Sequence, residues 1–148
     1  MLDILLRYGH FVGILGLVSM AVCQNVLLKP AIAQSTLRLL TRLDGLYGFF
    51  AMLTLACGLS LWFWVGKPAS FYTGNPVFHV KVTLFVAVGL LSIVPTVKLA
   101  RLRRAHRGQP AEQLIAMTPA LLWVKRSELV FIAVIPLLAV LMAQGIGL

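Results

Sequence analysis

Four long runs of apolar residues alternate along the chain with short segments that carry Lys, Arg, Pro and Gly. The runs extend over approximately residues 4–28, 46–66, 77–99 and 127–148. Each reaches the length of about 20 residues that spans a hydrocarbon core about 30 Å thick at a helical rise of 1.5 Å per residue. The pattern therefore predicts an all-α polytopic membrane protein, a bundle of four transmembrane helices in which residues 1–148 form a single integral membrane domain.

Local signals add detail at the ends of the second and third helices. Residues 33–43 place Leu at near-helical spacing opposite Arg, which favours an amphipathic stem that extends helix two. Asn75 followed by Pro76 is typical of a helix start, with Asn at the N-cap and Pro at the first helical position. Pro95 predicts a kink in helix three or the start of a frayed stem over residues 96–104.

Composition and charge agree with a membrane protein and exclude a water-soluble domain. Hydrophobic residues make up 60% of the chain and charged residues 11%, with a mean hydropathy of +0.96. The net charge of +9 does not point to nucleic acid, because ten of the thirteen Lys and Arg residues lie in two loops, residues 29–44 and 98–126. By the positive-inside rule both basic loops face the cytoplasm and both termini the periplasm of a bacterial inner membrane.

Three ionisable residues within the apolar runs are the first candidates for function. His79 and Lys81 lie in the segment 75–91, and His10 lies in the first run. An ionisable side chain in lipid costs about 2.5–3.5 kcal/mol on insertion scales, so it usually faces the bundle interior and marks a ligand, a counter-ion or a pathway. Helices one and three begin on the same side, so topology places all three residues in the outer half of the membrane.

These histidines suggest a haem b site near the periplasmic face. Neutral imidazole is a common ligand of haem iron, and the second axial ligand is often another His or a Met. His10 would be the first metal ligand, with His79 or Met142 as the second. Lys81 and Arg7 would pair with the propionates, because an ionised carboxylate is unstable in lipid without a partner. The same residues also fit a hydrogen-bonded structural pair, and that alternative stays open.

Glycines and aromatic residues near these positions have two interpretations each. Gly9, Gly13 and Gly16 leave the backbone around His10 bare, which suits either helix packing or the close approach of a flat cofactor. Trp62 and Trp64 end helix two and are typical of an interfacial aromatic belt. Alternatively, these two Trp side chains form the walls of a site for a planar cofactor.

Two functions other than redox chemistry also fit the sequence. The first is a small transporter or channel-like homo-oligomer, in which His79, Lys81 and Glu128 line a polar path. The second is an assembly factor whose glycine faces pack against a partner or a second copy. Glu128 has two interpretations. Its carboxylate either interacts favourably with the helix dipole in the first turn of its helix, or it serves as a proton relay. Asp44 is expected to pair with Arg42 or with a basic residue of the second loop.

The order of elements resembles four-helix families that include the HemJ-type protoporphyrinogen oxidases and the membrane domain of CopD-type copper-resistance proteins. The chain also resembles throughout a family of small, uncharacterised, predicted bacterial membrane proteins, on the apolar tail at residues 135–148. The residues that carry the first resemblance are Tyr8-Gly9-His10, Arg38-x3-Arg42, Cys57-Gly58-Leu59 and Phe78-His79-Val80-Lys81-Val82.

The HemJ-type resemblance implies b-type haem and a role for the His of helix one and the Lys of helix three. These roles fall on His10 and Lys81, with Lys81 as the catalytic candidate. The Trp-rich first helix and the Pro-Arg-Leu-Phe stretch of that family do not occur here, so the resemblance implies haem binding more than the oxidation of protoporphyrinogen. Quinone or a porphyrin would be the redox partner. The lipid bilayer would surround the protein.

Overall fold

Five helices and a two-stranded ladder make up the part of the chain that the computed structural model describes, residues 1–65 and 69–146. The helices are α1 (Leu2–Leu27), α2 (Gln34–Ser60), α3 (Ala69–Thr73), α4 (Pro76–Ala105) and α5 (Pro119–Ala143), and the strands are β1 (Ala31–Ala33) and β2 (Leu114–Ala116). A π-helical turn, Leu61–Val65, continues α2 without a break.

Four helices are long and apolar enough to cross a membrane, which confirms the predicted fold class. They are α1, α2 with its π-helical turn, α4 and α5. Large apolar side chains such as Phe11, Phe49, Leu90 and Val130 point away from the bundle and are exposed. So much apolar surface is unfavourable in water and is the normal surface of a helix in lipid.

The helices extend beyond the predicted apolar runs, mostly at one end of the bundle. The expected amphipathic stem is the first part of α2, where Leu37 and Leu40 are fully buried. α4 continues through Pro95 to Ala105. α5 begins at Pro119, eight residues before the predicted start at residue 127, because Pro119 occupies a favourable first helical position. The predicted residues 66 and 147–148 lie outside the described residues.

Successive long helices run in opposite directions, so the bundle has two distinct ends. The terminal end holds the start of α1, the π-helical turn, the start of α4 and the end of α5. The basic end holds the opposite ends of these helices and the antiparallel ladder of β1 and β2, which aligns Ile32 with Ile115. α1 packs mainly against α2, and α4 mainly against α5, so the bundle consists of two close pairs.

The start of α4 is tied to the end of α5 at the terminal end. Asn75 Oδ1 accepts a hydrogen bond of 2.8 Å from the amide of Val77, which confirms the predicted N-cap. Asn75 Nδ2 donates to the carbonyl of Ile146 at 3.3 Å. The Asn75 side chain is fully buried, so this residue positions both helices around the space between the pairs.

Candidate functional site

An apolar cavity of about 310 Å³ lies between the two helix pairs in the terminal half of the bundle. All four long helices contribute to it, and on α4 its lining residues follow helical spacing (Phe78, Lys81, Val82 and Phe85). Two side chains that can carry a positive charge, His10 and Lys81, enter it from opposite pairs. Cavities of 300–1,000 Å³ with an apolar lining and a few polar groups are typical of ligand sites.

The His10 imidazole is held in one tautomer by α2. Its Nδ1 lies 2.8 Å from the carbonyl oxygen of Thr54, and a carbonyl only accepts, so Nδ1 carries the proton and donates it. In the neutral ring, Nε2 is then left with a free lone pair. A hydrogen bond from one ring nitrogen to a backbone carbonyl is the usual way a metal-ligating His is oriented.

The glycines of α1 serve helix packing within the chain. A Cβ atom at Gly13 would lie 2.5 Å from Thr54 Oγ1, and one at Gly16 would lie 2.4 Å from the Phe50 ring. Gly13 is buried against α2 and is not among the residues that line the cavity. The bare backbone therefore brings α1 close enough for His10 to reach the Thr54 carbonyl.

Lys81 and Trp62 bring further polar atoms to the cavity. Among the described residues Lys81 Nζ has neither a hydrogen-bond acceptor nor a carboxylate partner, and its contact is with the Phe78 ring, 5.4 Å from the centroid. Trp62 Nε1 is buried and has no acceptor in the described part of the chain. The π-helical turn places Trp62 in the lining, while Trp64 is 78% exposed. Such turns are frequent at functional sites.

His79 lies on a different face of α4 and is exposed. Its Nε2 donates a hydrogen bond of 2.8 Å to the carbonyl of Thr73 in α3. Residues two apart on a helix are about 200° apart around the axis, so His79 and Lys81 do not share a face. The structure therefore brings Lys81, but not His79, to the cavity with His10.

Arg7 and Met142 also lie away from the cavity lining. Arg7 is exposed and forms an ion pair with Asp3, one turn earlier in α1, at 2.9 Å. Met142 is half-buried near the end of α5, beyond the last lining residue of that helix, Ala139. In residues 1–65 and 69–146 no group of three His, Cys, Asp or Glu side chains could hold a metal ion.

A buried ionic cluster lies closer to the basic end. Lys125 Nζ donates to Glu128 Oε2 at 2.8 Å and lies 3.6 Å from Asp44 Oδ1. The side chains of all three are at most 5% exposed. The charge pattern predicts Lys125 in a basic loop, whereas the structure places it inside α5. Asp44 does pair with a basic residue of that segment, as one of the two expected alternatives.

Neighbouring side chains connect this ionic cluster to α1 and α2. Lys125 Nζ lies 4.8 Å from the centroid of the Tyr47 ring. Asn25 Nδ2 donates to the carbonyl of Lys125 at 3.1 Å, and the fully buried amide of Gln24 has no partner among the described residues. Helical phase was the available signal, because Lys125 and Glu128 share a face with Leu121 and Ile132 once α5 begins at Pro119.

In a comparison with protein families, residues 2–147 match a family described as "Predicted membrane protein (DUF2214)". The match covers nearly the whole chain, so the chain belongs to this family of predicted membrane proteins, in agreement with the second resemblance noted in the sequence. No curated protein and no solved structure matches. The resemblance to HemJ-type and CopD-type proteins is not shown by these comparisons.

Proposed function

We propose that this member of the DUF2214 family of predicted membrane proteins binds haem b in the cavity of the terminal half and has a redox role. The observation that carries the proposal is the state of His10, whose Nδ1 donates to the Thr54 carbonyl at 2.8 Å, so that Nε2 of the neutral ring keeps its lone pair. Among the described residues that line the cavity, His10 is the only His, so it would be the sole imidazole ligand.

The other polar groups of the cavity fit the periphery of such a cofactor. A propionate needs a cation or a hydrogen-bond donor inside a membrane, and the Lys81 ammonium and the Trp62 N–H lack acceptors among the described residues. Phe78 and Phe85 supply apolar contact for a ring system. Arg7 already forms an ion pair with Asp3, so Lys81 is the proposed cationic partner of a propionate.

Bound haem would supply one-electron chemistry, and the residues of this chain would set its ligation, access and dielectric. His10 would ligate, Lys81 would neutralise a carboxylate, and the apolar lining would exclude water. Quinone or a porphyrin is the proposed redox partner, because an apolar cavity within the membrane suits a lipid-soluble molecule. Lys81 is the proposed catalytic residue if the partner is a porphyrin.

The cavity geometry favours a bound ligand over a polar path through the membrane. Leu17 and Ile132 line the cavity and also belong to a buried apolar cluster with Val88 and Tyr47. Tyr47 contacts Lys125, so this apolar layer separates Lys81 from the ionic cluster. A channel lined by His79, Lys81 and Glu128 would need a continuous polar path between these side chains.

The test compares two histidine substitutions in detergent-purified protein. Oxidised and dithionite-reduced absorption spectra, with a pyridine haemochrome assay, give the haem content per chain. His10→Ala is expected to abolish haem retention, and the matched control His79→Ala to retain it, since His79 faces away from the cavity. Unchanged haem content in His10→Ala would refute the ligand role. Loss of haem from both variants would refute the assignment of His10 as the sole imidazole ligand.

We propose that the basic end faces the cytoplasm of a bacterial inner membrane, because ten of the thirteen basic residues belong to the sequence segments 29–44 and 98–126, which lie toward this end. Alkaline phosphatase and green fluorescent protein, each fused to the C-terminus, report the side directly. Active phosphatase and a dark fluorescent fusion are expected. A fluorescent fusion with inactive phosphatase would reverse the proposed orientation.

A further inference from the structure

A second cavity, of about 740 Å³, lies at the basic end between the start of α2 and the end of α4. Four arginines line it, one from α2 and three from α4 or the turn that follows: Arg38, Arg103, Arg104 and Arg107. Its remaining lining is mostly polar and contains no carboxylate: Gln34, Thr41, Ala100, Gly108 and Gln109. The folded chain thus gathers cations from two segments that are far apart in the sequence.

The four arginines have no carboxylate partner among the described residues. Asp3 pairs with Arg7, and Asp44 and Glu128 pair with Lys125. The remaining carboxylate of the chain, Glu112, is exposed and does not line the cavity. Guanidinium groups placed together without counter-charge repel one another, so this wall is electrostatically prepared for an anion.

The cavity wall is positioned by half-buried hydrogen bonds. Gln34, which is 3% exposed, donates through Nε2 to the carbonyl of His106 at 2.9 Å and accepts through Oε1 from Arg38 Nε. This amide connects α2 to the end of α4 and orients the Arg38 guanidinium. Gln109 Oε1 is buried without a partner in the described part of the chain, and rotation of this amide would present its NH₂ group to an anion.

Helix length places the arginines at the level of lipid phosphates. From Pro76 to Arg103 and from Val65 back to Arg38, a rise of 1.5 Å per residue gives about 40 Å in each case. A bilayer measures about 30 Å across its hydrocarbon core and about 40–45 Å with its head groups. Both helices therefore carry their arginines past the hydrocarbon core and into the head-group layer.

We propose that this cavity binds a phosphate group, held by the guanidinium groups of α2 and α4, and that the phosphate is carried by an anionic lipid. Guanidinium presents two parallel N–H donors to phosphate oxygens, which explains why Arg rather than Lys lines the wall. Basic pockets between membrane helices are a recognised setting for anionic head groups. A soluble phosphate compound has the same chemistry and is the other source of the ligand.

Native mass spectrometry of the full chain in detergent tests the proposal by titration with phosphatidylglycerol, phosphatidylcholine or inorganic phosphate. The double substitution Arg103→Gln/Arg107→Gln removes two cavity cations. Arg101→Gln/Arg126→Gln is the matched control, because both residues are exposed and neither lines the cavity. Phosphatidylglycerol is expected to bind the cavity variant at least about tenfold more weakly than the control, since one hydrogen bond between charged groups is worth that factor.

Each outcome bears on the proposal. Preferential binding of phosphatidylglycerol that inorganic phosphate does not displace supports the lipid source. Binding of inorganic phosphate that depends on the cavity arginines supports the phosphate site and assigns it to a soluble ligand. Equal binding of both lipids with no phosphate effect overturns the proposal, as does equal weakening in the control. If the Gln variant does not fold, Arg103→Lys/Arg107→Lys keeps the charge and is expected to weaken binding through loss of the bidentate geometry.

Discussion

The ionic cluster of α5 provides the sharpest test of how the bundle is stabilised. Replacing Lys125 by Met keeps most of the volume of the side chain and removes its charge. Asp44 and Glu128 then face each other at side-chain exposures of 5% and 1% without a cation. The tertiary structure leaves them no other partner, because Arg42 and Arg126 are exposed and neither forms an ion pair among the described residues.

The expected cost follows from the burial of these carboxylates. Removal of one partner from a buried ion pair costs about 3–5 kcal/mol, since an uncompensated charge remains in a low-dielectric interior. For a chain of this size each kcal/mol lowers Tm by about 2–4 °C, so Lys125→Met should lower Tm by about 6–20 °C. Neutralising all three groups, in Lys125→Met/Asp44→Asn/Glu128→Gln, should recover more than half of that loss, because no buried charge remains.

Thermal unfolding in detergent, followed by circular dichroism and by size-exclusion chromatography of heated samples, measures these shifts. Arg126→Met is the matched control, as the next residue of the same helix turn with an exposed side chain. Its Tm is expected within about 2 °C of the parent, since surface substitutions are usually worth no more than about 0.5 kcal/mol. Equal losses in Lys125→Met and Arg126→Met would refute the reasoning, and so would a triple variant as unstable as Lys125→Met alone.

Three further predictions concern single contacts. Gly13→Ala should destabilise the bundle by about 1–3 kcal/mol, because the new Cβ would meet the backbone of Thr54, and thermal unfolding should show no such loss for Gly89→Ala, where nothing lies within 4 Å. Asn75→Ala should cost at least about 1 kcal/mol through loss of the cap of α4 and of the bond to Ile146, and Asn75→Asp, which keeps the acceptor of the cap but loses the donor to the Ile146 carbonyl in a buried position, should recover only part of it in the same assay. Trp62→Phe should leave Tm of ligand-free protein unchanged or higher, because the buried N–H lacks an acceptor among the described residues, while haem retention falls; unchanged haem retention would show that Trp62 does not contact the ligand.

Part of the candidate site was within reach of the sequence. His10 and Lys81 were selected because ionisable residues are costly in lipid, and both line the cavity. His79 was selected by the same argument, although a separation of two residues already places it on another face from Lys81. Trp62 could not be chosen over Trp64, because the π-helical turn that directs it inward has no local signal.

Other groups depended on helix boundaries and on contacts between distant segments. Lys125 looked like a loop residue because the neighbouring charges Arg126 and Glu128 interrupt the apolar run within α5. Its partner Asp44 is 81 positions earlier in the chain. Arg38 and Arg103 likewise meet only because α2 packs beside α4. The distance between two residues along the sequence does not indicate whether they come into contact in the folded chain.

The sequence by itself determined the four membrane-spanning helices, the cap at Asn75 and the family, because the transfer of residues into lipid and the capping of a helix are local free energies that add along the chain. Only the tertiary structure decided which side of each helix faces inward. That choice depends on close packing between helices, such as the approach of α1 to α2 at Gly13, which aims His10 at the Thr54 carbonyl and leaves a cavity between the two pairs.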